Sequence, residues 1–560
     1  MAGFGNSTPN TNKQKISKNG PQLLEAAVKA HKTGDIKSAE LLYLNAINSG
    51  FHHEIAFSNL GVIYKNTNRQ KEAVSIYKRA ISSNPNFADA YLNLGNLLKD
   101  LGNLDQALAS TLKSLELKPD NPTAHMNLGG IYKDLGNLDQ ALASTLKSLE
   151  LKPDNPTAHM NLGGIYKDLG NLDQALASTL KSLELKPEAS KALLILGDIK
   201  LALGETEEAR KYFLATIEND PQEYGAYYGL SNMLETTEEA EKLVKSINSA
   251  KAAKVTPRSR SLFEFAISNC LHKAQNYEEA SKHLRLANKN KLISLPSDIK
   301  PLRQAIENSL SNFAPSGTTN INANSGTGRI FIVGMPRSGS TLLETILSMN
   351  PEIKDLGESR SLQKAIAKAK KQRSHNVNDQ NISEYYLQLE SINSSQHKYT
   401  TDKQLYNFLY INHIVEHMPA AKIIHCRRNP MDNILSMYRS NLIAGNNYTA
   451  NLEDSAEVLI AQEQAMQIHK KRHPEKIFTF DYDQFVNKPE TNLRKLLGWL
   501  DLEFHESFLH PEESTRIVNT ASVMQARKPI SNKSVGGWKN YETLLKPAFK
   551  IIQESGIKID

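Results

Sequence analysis

Residues 329–347 read RIFIVGMPRSGSTLLETIL. Arg329–Gly334 is a short β-rich run, which predicts a strand. From Thr341 the segment TLLETILSM spaces its apolar residues as a helix does. Between them, Met335-Pro336-Arg337-Ser338-Gly339-Ser340-Thr341 is a tight glycine loop that leads into a helix N-terminus. Backbone N–H groups at such a point have no intrahelical acceptor, so strand, loop and helix start together suit a phosphate. The spacing from Gly334 to Gly339-Ser340-Thr341 mimics G-x-x-x-x-G-K-[ST], but Ser340 stands where the Lys would be and a basic side chain enters the loop as Arg337. Loss of the Lys disfavours the β/γ-phosphate chemistry of a kinase. One 5′-phosphate-like anion, gripped by Arg and hydroxyls, fits better.

Two more β-rich runs follow, Lys422–Cys426 (KIIHC) and Lys476–Phe480 (KIFTF), separated by amphipathic helical stretches. Strands alternating with helices imply a parallel α/β sheet with crossovers. Arg428 stands at the end of the strand, two residues past the KIIHC run, and Ser436 lies eight residues on, in the helix that follows. The two can converge on one phosphate. On the other side of 329, residues 312–328 (NFAPSGTTNINANSGTG) are small, polar and aperiodic, as a linker is.

Upstream of that linker the chain repeats. Residues 99–153 are identical, letter for letter, to 133–187, an offset of 34. Each unit holds two helical segments joined by a Gly-Asn turn and closed by Lys-Pro-Asp. A lone helix pair cannot bury its apolar faces, so neighbouring units must stack. The pattern resembles the tetratricopeptide repeat: Phe57, Leu60, Gly61, Tyr64, Ala73, Tyr77, Ala80 and Pro85 stand at that repeat's spacings. Diverged units carry Leu196, Gly197, Ala209, Phe213 and Pro221, then Ala280 and Ala287; the first, around Ala39, Tyr43 and Ala46, is atypical, as a cap would be. The expected organisation is multidomain. A polar leader over 1–20 precedes an all-α solenoid over 21–310, clear from 54 to 221 and degenerate from 224 to 310. A linker over 311–328 then leads to a P-loop-like α/β domain with a central parallel sheet over 329–560.

Composition agrees with a folded chain. Of 560 residues, 39% are apolar and 23% charged. Mean hydropathy is −0.47, and no apolar run is long enough for a membrane span. Neither membrane nor signal segment is expected, which makes the cytoplasm the default location. Two cysteines, Cys270 and Cys426, exclude a disulfide framework and a Cys-rich zinc module. A net charge of +7 suits an anionic cofactor or acidic substrate better than nucleic acid, which would ask for a concentrated basic patch. His413-Ile414-Val415-Glu416-His417 fits H-x-x-E-H, a zinc-protease pattern; nothing else supports it, so no metal is expected.

PRSGSTLLETIL resembles the PAPS-dependent sulfotransferases (PAPS is 3′-phosphoadenosine 5′-phosphosulfate), most of all the tyrosylprotein sulfotransferases and the bacterial sulfotransferases that carry tetratricopeptide repeats. The likeness runs over about 329–545. It implies that Arg337, Ser338, Gly339, Ser340 and Thr341 cradle the 5′-phosphosulfate and that Arg428 with Ser436 holds the 3′-phosphate. Glu358, in Gly357-Glu358-Ser359-Arg360, is similar in position to the family's general base. Arg360 would orient an acidic acceptor. Lys403, in Thr401-Asp402-Lys403, is similar to the lysine that neutralises the leaving oxygen, and Ser522 matches a serine that assists it. Tyr482 would contact the nucleotide. Lys533–Trp538 resembles the stretch that closes over the cofactor, with Gly537 where relatives have a basic residue. The implied product is 3′,5′-adenosine bisphosphate.

Repeat arrays present long concave surfaces. The 34-residue offset brings Asn59, Asn93, Asn127 and Asn161 into register on successive first helices, with Lys65, Lys99, Lys133 and Lys167 as a second row. Amides in such a row can hold an extended peptide backbone, and lysines attract acidic side chains. Asp100, Asp134 and Asp168 neutralise part of the Lys row. The sequence therefore predicts a sulfotransferase with a protein tyrosine as favoured acceptor. A glycan or small-molecule hydroxyl is the alternative within the same chemistry, and a scaffold with a non-catalytic nucleotide domain is the alternative outside it.

Overall fold

A computed structural model describes residues 19–250, 255–311, 322–373, 382–394, 397–442, 445–514, 516–518, 520 and 522–559. Most of the leader expected over 1–20, and much of the linker expected over 311–328, lie outside the described residues. The chain divides into two compact units. One comprises residues 19–169 with 177–187, the other 170–176 with 188–560.

The first unit is a run of antiparallel helix pairs, beginning Gly20–Lys32/Ile36–Asn48 and Glu54–Asn66/Gln70–Ser83. The identical letters give identical local structure. Asn121 and Asn155 each cap a first helix by accepting N–H groups from two and three residues ahead, with Pro122 and Pro156 at the first helical position. Close approach within a pair depends on small residues. A Cβ added at Gly129 would sit 2.2 Å from Thr145 Oγ1, and one at Gly61 2.4 Å from the Tyr77 ring. Buried Ala39, Tyr43, Phe57, Leu60, Tyr77, Ala80 and Leu97 form one continuous core.

The second unit begins with more helices, among them Ser190–Leu203, Thr206–Asn219, Tyr224–Ser231, Pro257–Lys273 and Tyr277–Ser294. It continues into a five-stranded sheet: β1 (Arg329–Gly334), β2 (Ile353–Asp355), β3 (Tyr399–Asp402), β4 (Lys422–Arg427) and β5 (Ile477–Asp481). The order is β2-β3-β1-β4-β5 and every pairing is parallel. Phe331, Ile332 and Val333 are wholly buried, as central strands of a sheet covered on both faces must be. Alternate residues feed opposite layers. Phe331, Val333 and Ile423 pack with Leu362, Phe408 and Met466, while Ile330, Ile332 and Ile424 pack with Leu343, Phe480 and Leu496. Strands β2 and β3 are additions to the three predicted runs. With three and four residues they are too short to show a periodicity.

The helices before the sheet belong to the same packed body. Phe265, Ala280, Leu284 and Ala287 share a core with Met431, Leu435, Trp538, Tyr541 and Leu545. Asn288 Nδ2 donates to the Tyr438 carbonyl (2.9 Å), His272 Nδ1 and Tyr541 hydroxyl are hydrogen-bonded at 2.8 Å, and Asn441 N–H donates to Tyr228 hydroxyl (3.1 Å).

Candidate active site

In a parallel sheet the carboxyl ends of the strands share one edge, where crossover loops leave room for a ligand. Here Met335–Gly339 follows β1, Lys403 follows β3, Arg428 follows β4 and Tyr482 follows β5. The register fixes them side by side: Gly334 is level with Cys426, and Arg427 with Asp481.

The first loop is held in an uncommon backbone shape. Arg337 has φ +68° and Gly339 has φ +90°. Gly339 has a second reason to be glycine, since a Cβ there would lie 2.3 Å from the Tyr482 ring. Ser340 and Thr341 are buried in the first turn of helix Ser340–Leu347. Among the described residues Ser338 Oγ, which is buried, has no hydrogen-bond partner.

Two guanidinium groups meet at this loop. Arg337 Nε donates to Ser436 Oγ (3.1 Å), and its Nη1 donates to Ser522 Oγ (2.5 Å) and Gln525 Oε1 (3.4 Å). Arg428 donates to the Arg337 carbonyl (3.3 Å) and the Ser534 carbonyl (3.2 Å), and lies 4.9 Å over the Tyr482 ring. Arg428 makes no ion pair among the described residues, and its Nε is buried without a partner. Burial, with Arg428 as a second cause, lowers the Arg337 guanidinium to about 10. An anion between or beside two neighbouring cations relieves the repulsion between them. Arg428 and Ser436 make no hydrogen bond to each other; each reaches Arg337, Arg428 at its carbonyl and Ser436 at its guanidinium.

At the β3 end Lys403 is 1% exposed, and its Nζ donates to Glu358 Oε1 (2.8 Å), whose side chain is 52% exposed. The backbone locks this pair together. Leu356 N–H donates to the Thr401 carbonyl and Lys403 N–H to the Gly357 carbonyl, both at 2.8 Å. Beneath Lys403, Asp402 accepts from Tyr386 hydroxyl, Asn407 Nδ2 and Gln404 N–H, while burial raises its carboxyl to about 7. Arg360 is exposed ahead of helix Ser361–Arg373.

Several residues that organise the edge escaped the sequence reading. Asp432 accepts N–H groups from Gly536 (2.6 Å) and Trp538 (2.8 Å), which pins the Lys533–Trp538 stretch. Asn433 Nδ2 donates to the Pro336 carbonyl (2.8 Å), tying the β4 helix to the β1 loop. The signal was present: two consecutive polar residues at the start of an apolar helix, both buried. Arg516 pairs with Glu344 and, at 2.6 Å, with Asp355. Gln525 carried no signal, because an exposed-looking polar residue has no pattern to betray it.

In the first unit Asn59 Nδ2 donates to Tyr43 hydroxyl (2.8 Å); Asn93, Asn127 and Asn161 are half-buried at the equivalent register. The Lys row meets the Asp row of the following repeat: Lys65–Asp100 at 2.7 Å, Lys99–Asp134 at 3.7 Å and Lys133–Asp168 at 3.4 Å. Burial pushes the Lys133 ammonium below the usual lysine range, and Asp168 opposes this. Among the described residues no three His, Cys, Asp or Glu side chains are placed to hold a metal ion. No described helix is long and apolar enough to cross a membrane.

Comparison with known proteins follows this division. The sulfotransferase family matches residues 329–506, and tetratricopeptide repeat families match 56–87, 76–109, 95–134, 129–170, 160–224 and 194–242. An uncharacterized protein of Aquifex aeolicus is 28% identical over 346 residues, covering 58% of this chain and 45% of its own. A putative protein-tyrosine sulfotransferase of Caenorhabditis briggsae is 25% identical, covering 37% of this chain and 80% of its own. Protein-tyrosine sulfotransferase 1 of Danio rerio is 22% identical, covering 37% and 65%. The chain thus spans less than half the length of its Aquifex relative. Strand order, loop and matched family agree that residues 329–506 form a sulfotransferase-family domain, fused in this chain to tetratricopeptide repeats.

Proposed function

We propose that the chain is a PAPS-dependent sulfotransferase whose favoured acceptor is a protein tyrosine presented by the repeat array. One observation carries the reading: Arg337 and Arg428 meet over a glycine loop at the carboxyl edge of a parallel sheet, with Ser338 Oγ and Arg428 Nε buried and unsatisfied. Buried donors without acceptors are costly unless a ligand supplies the acceptors. A nucleotide phosphorylated at both ends of its ribose offers them. Arg337, Ser338, Gly339, Ser340 and Thr341 would hold the 5′ group, and Arg428, Ser436 and Tyr482 the 3′-phosphate and base side. Arg337, bonded to Ser436, bridges the two subsites.

When bound, PAPS supplies an activated sulfuryl group on a phosphosulfate anhydride. The chain's own groups do the rest. Glu358 Oε2 is free of the lysine bond and, on a half-exposed side chain, can take the acceptor's proton. The Lys403 ammonium has three donors and gives one to Glu358. Its others, in a buried site, hold negative charge on the departing oxygen far more strongly than they would in water. Ser522, bonded to Arg337, supports the same side. Arg360 would meet an acidic residue of the acceptor. The Asn59, Asn93, Asn127 and Asn161 row would hold peptide backbone. The Lys row is already paired with Asp, which leaves shape and amides rather than net charge to select the peptide.

The test is transfer of labelled sulfuryl from PAPS to tyrosine-containing acidic peptides. Tyr→Phe peptides and glycans serve as parallel acceptors, and Glu358→Gln as the control enzyme. The reading expects label on the tyrosine peptide alone and at least a hundredfold loss in the variant. Label on glycans alone would move the acceptor class. No transfer to any acceptor, with PAPS bound, would favour the scaffold.

A further inference from the structure

Helix Ser190–Leu203 ends on Gly204, at φ +89°. The last four carbonyls of a helix have no intrahelical partner. Here the N–H groups of Gly204 and Glu205 take up those of Lys200 and Leu201. The Ala202 carbonyl is used differently. It accepts Val518 N–H (3.2 Å) and Arg527 Nη2 (2.7 Å). Arg527 Nη2 donates in addition to the Arg516 carbonyl (3.2 Å). A guanidinium at the C-terminal end of a helix meets the negative pole of its dipole.

These bonds bracket the site. Ser522 and Gln525, which receive Arg337, lie between Val518 and Arg527 in sequence. The only regular structure described there is the four-residue helix Val523–Ala526. The segment's described backbone bonds, such as Val523 N–H to the Thr520 carbonyl and Ala526 N–H to the Ser522 carbonyl, are local, so its position in the unit is set by anchors outside it. One anchor is Arg516 on Glu344 and Asp355; another is Arg527 on Ala202, with Val523 and Met524 packed against the core cluster that includes Tyr224 and Phe263.

We propose that Arg527 is a positioning residue: seated on the Ala202 carbonyl of a repeat helix, it sets Ser522 and Gln525 against Arg337, so that this repeat is a fixed part of the enzyme. This rests on the roles proposed above for Arg337 and Ser522.

The repeat supplies its own control. Gly170 is 34 residues before Gly204, has φ +82°, and an added Cβ there has nothing within 4 Å. At Gly204 an added Cβ would lie 2.5 Å from Arg527 Nη1. Alanine at either position strains the same left-handed backbone, and only alanine at 204 displaces the guanidinium.

The experiment uses the full chain as wild type, Arg527→Ala, Arg527→Lys, Gly204→Ala and Gly170→Ala. The readouts are KM and kcat with PAPS, affinity for 3′,5′-adenosine bisphosphate, melting temperature, and amide exchange at Val518. Arg527→Ala should raise KM for PAPS about tenfold, as loss of a charged hydrogen bond does, and speed exchange at Val518. Arg527→Lys should recover most of the loss. Gly204→Ala should imitate Arg527→Ala, while Gly170→Ala keeps the wild-type KM. Wild-type KM in Arg527→Ala, or equal shifts in the two glycine variants, would overturn the proposal. Should Arg527→Ala fail to fold, the glycine pair decides. Should the wild type bind no bisphosphate, the proposed function fails on that result, and Val518 exchange still decides whether Arg527 anchors the segment.

Discussion

Charges are handled in opposite ways before and after residue 188. In the first unit a Lys on each first helix meets an Asp of the next repeat, with side chains about a fifth to two-fifths exposed. The pattern is periodic and local, and each pair keeps only partial access to water. In the second unit charges converge from distant sequence. Arg516 is 7% exposed against a wholly buried Glu344, and Lys403 is buried beneath Glu358. The difference teaches which repeats stand by themselves and which are packed into the body that holds the sheet. Helices after 188 have lost the repeat's letters where they meet the sheet domain: there Tyr228, His272 and Asn288 bond Asn441, Tyr541 and Tyr438.

The largest effect expected from this contrast concerns truncation. A chain starting at Glu188 should fold cooperatively and be stabilised by 3′,5′-adenosine bisphosphate. A chain starting at Asn322 leaves Met431, Trp538 and Leu545 without Phe265 and Leu284, and should be recovered only as aggregate. A stable, ligand-binding chain from 322 would erase the distinction between the two sets of repeats.

Next in size is Arg516→Met. It strands a buried Glu344 and should cost about 3–5 kcal/mol in denaturant unfolding. Burial already raises the Glu344 carboxyl. Such a group contributes stability below its unfolded value that is lost as pH rises, so the variant's deficit should be smaller near pH 4 than at pH 7. A deficit that is equal at both would place the cost elsewhere. Lys99→Met sharpens the other side of the contrast. Its partly exposed pair should cost less than about 1 kcal/mol, and less again in high salt.

The parts visible in the sequence were those with a local pattern. The 34-residue identity predicts stacked helix pairs. RIFIVG, KIIHC and KIFTF predict strands whose parallel pairing the structure contains, to within a residue at their ends. The β1 loop was legible because a Gly, an Arg and three hydroxyls stand at one strand-to-helix turn. What stayed hidden depends on contacts distant in sequence. Arg428 and Ser436, eight residues apart, read as two arms for one phosphate; what that spacing does not show is that each also bonds Arg337, about a hundred residues away. Asp402 gains its raised carboxyl from burial between Tyr386 and Asn407, and nothing in Thr401-Asp402-Lys403 announces that.

The central claim is that the sheet edge holds a nucleotide carrying phosphate on both sides of its ribose. Calorimetric titration of the full chain with 3′,5′-adenosine bisphosphate and, separately, with 5′-AMP tests it most directly, repeated on Arg428→Ala. The account predicts that the bisphosphate binds at least tenfold tighter than 5′-AMP and that the variant loses this preference. Equal affinity for the two nucleotides in the wild type, or an undiminished preference in Arg428→Ala, would contradict it.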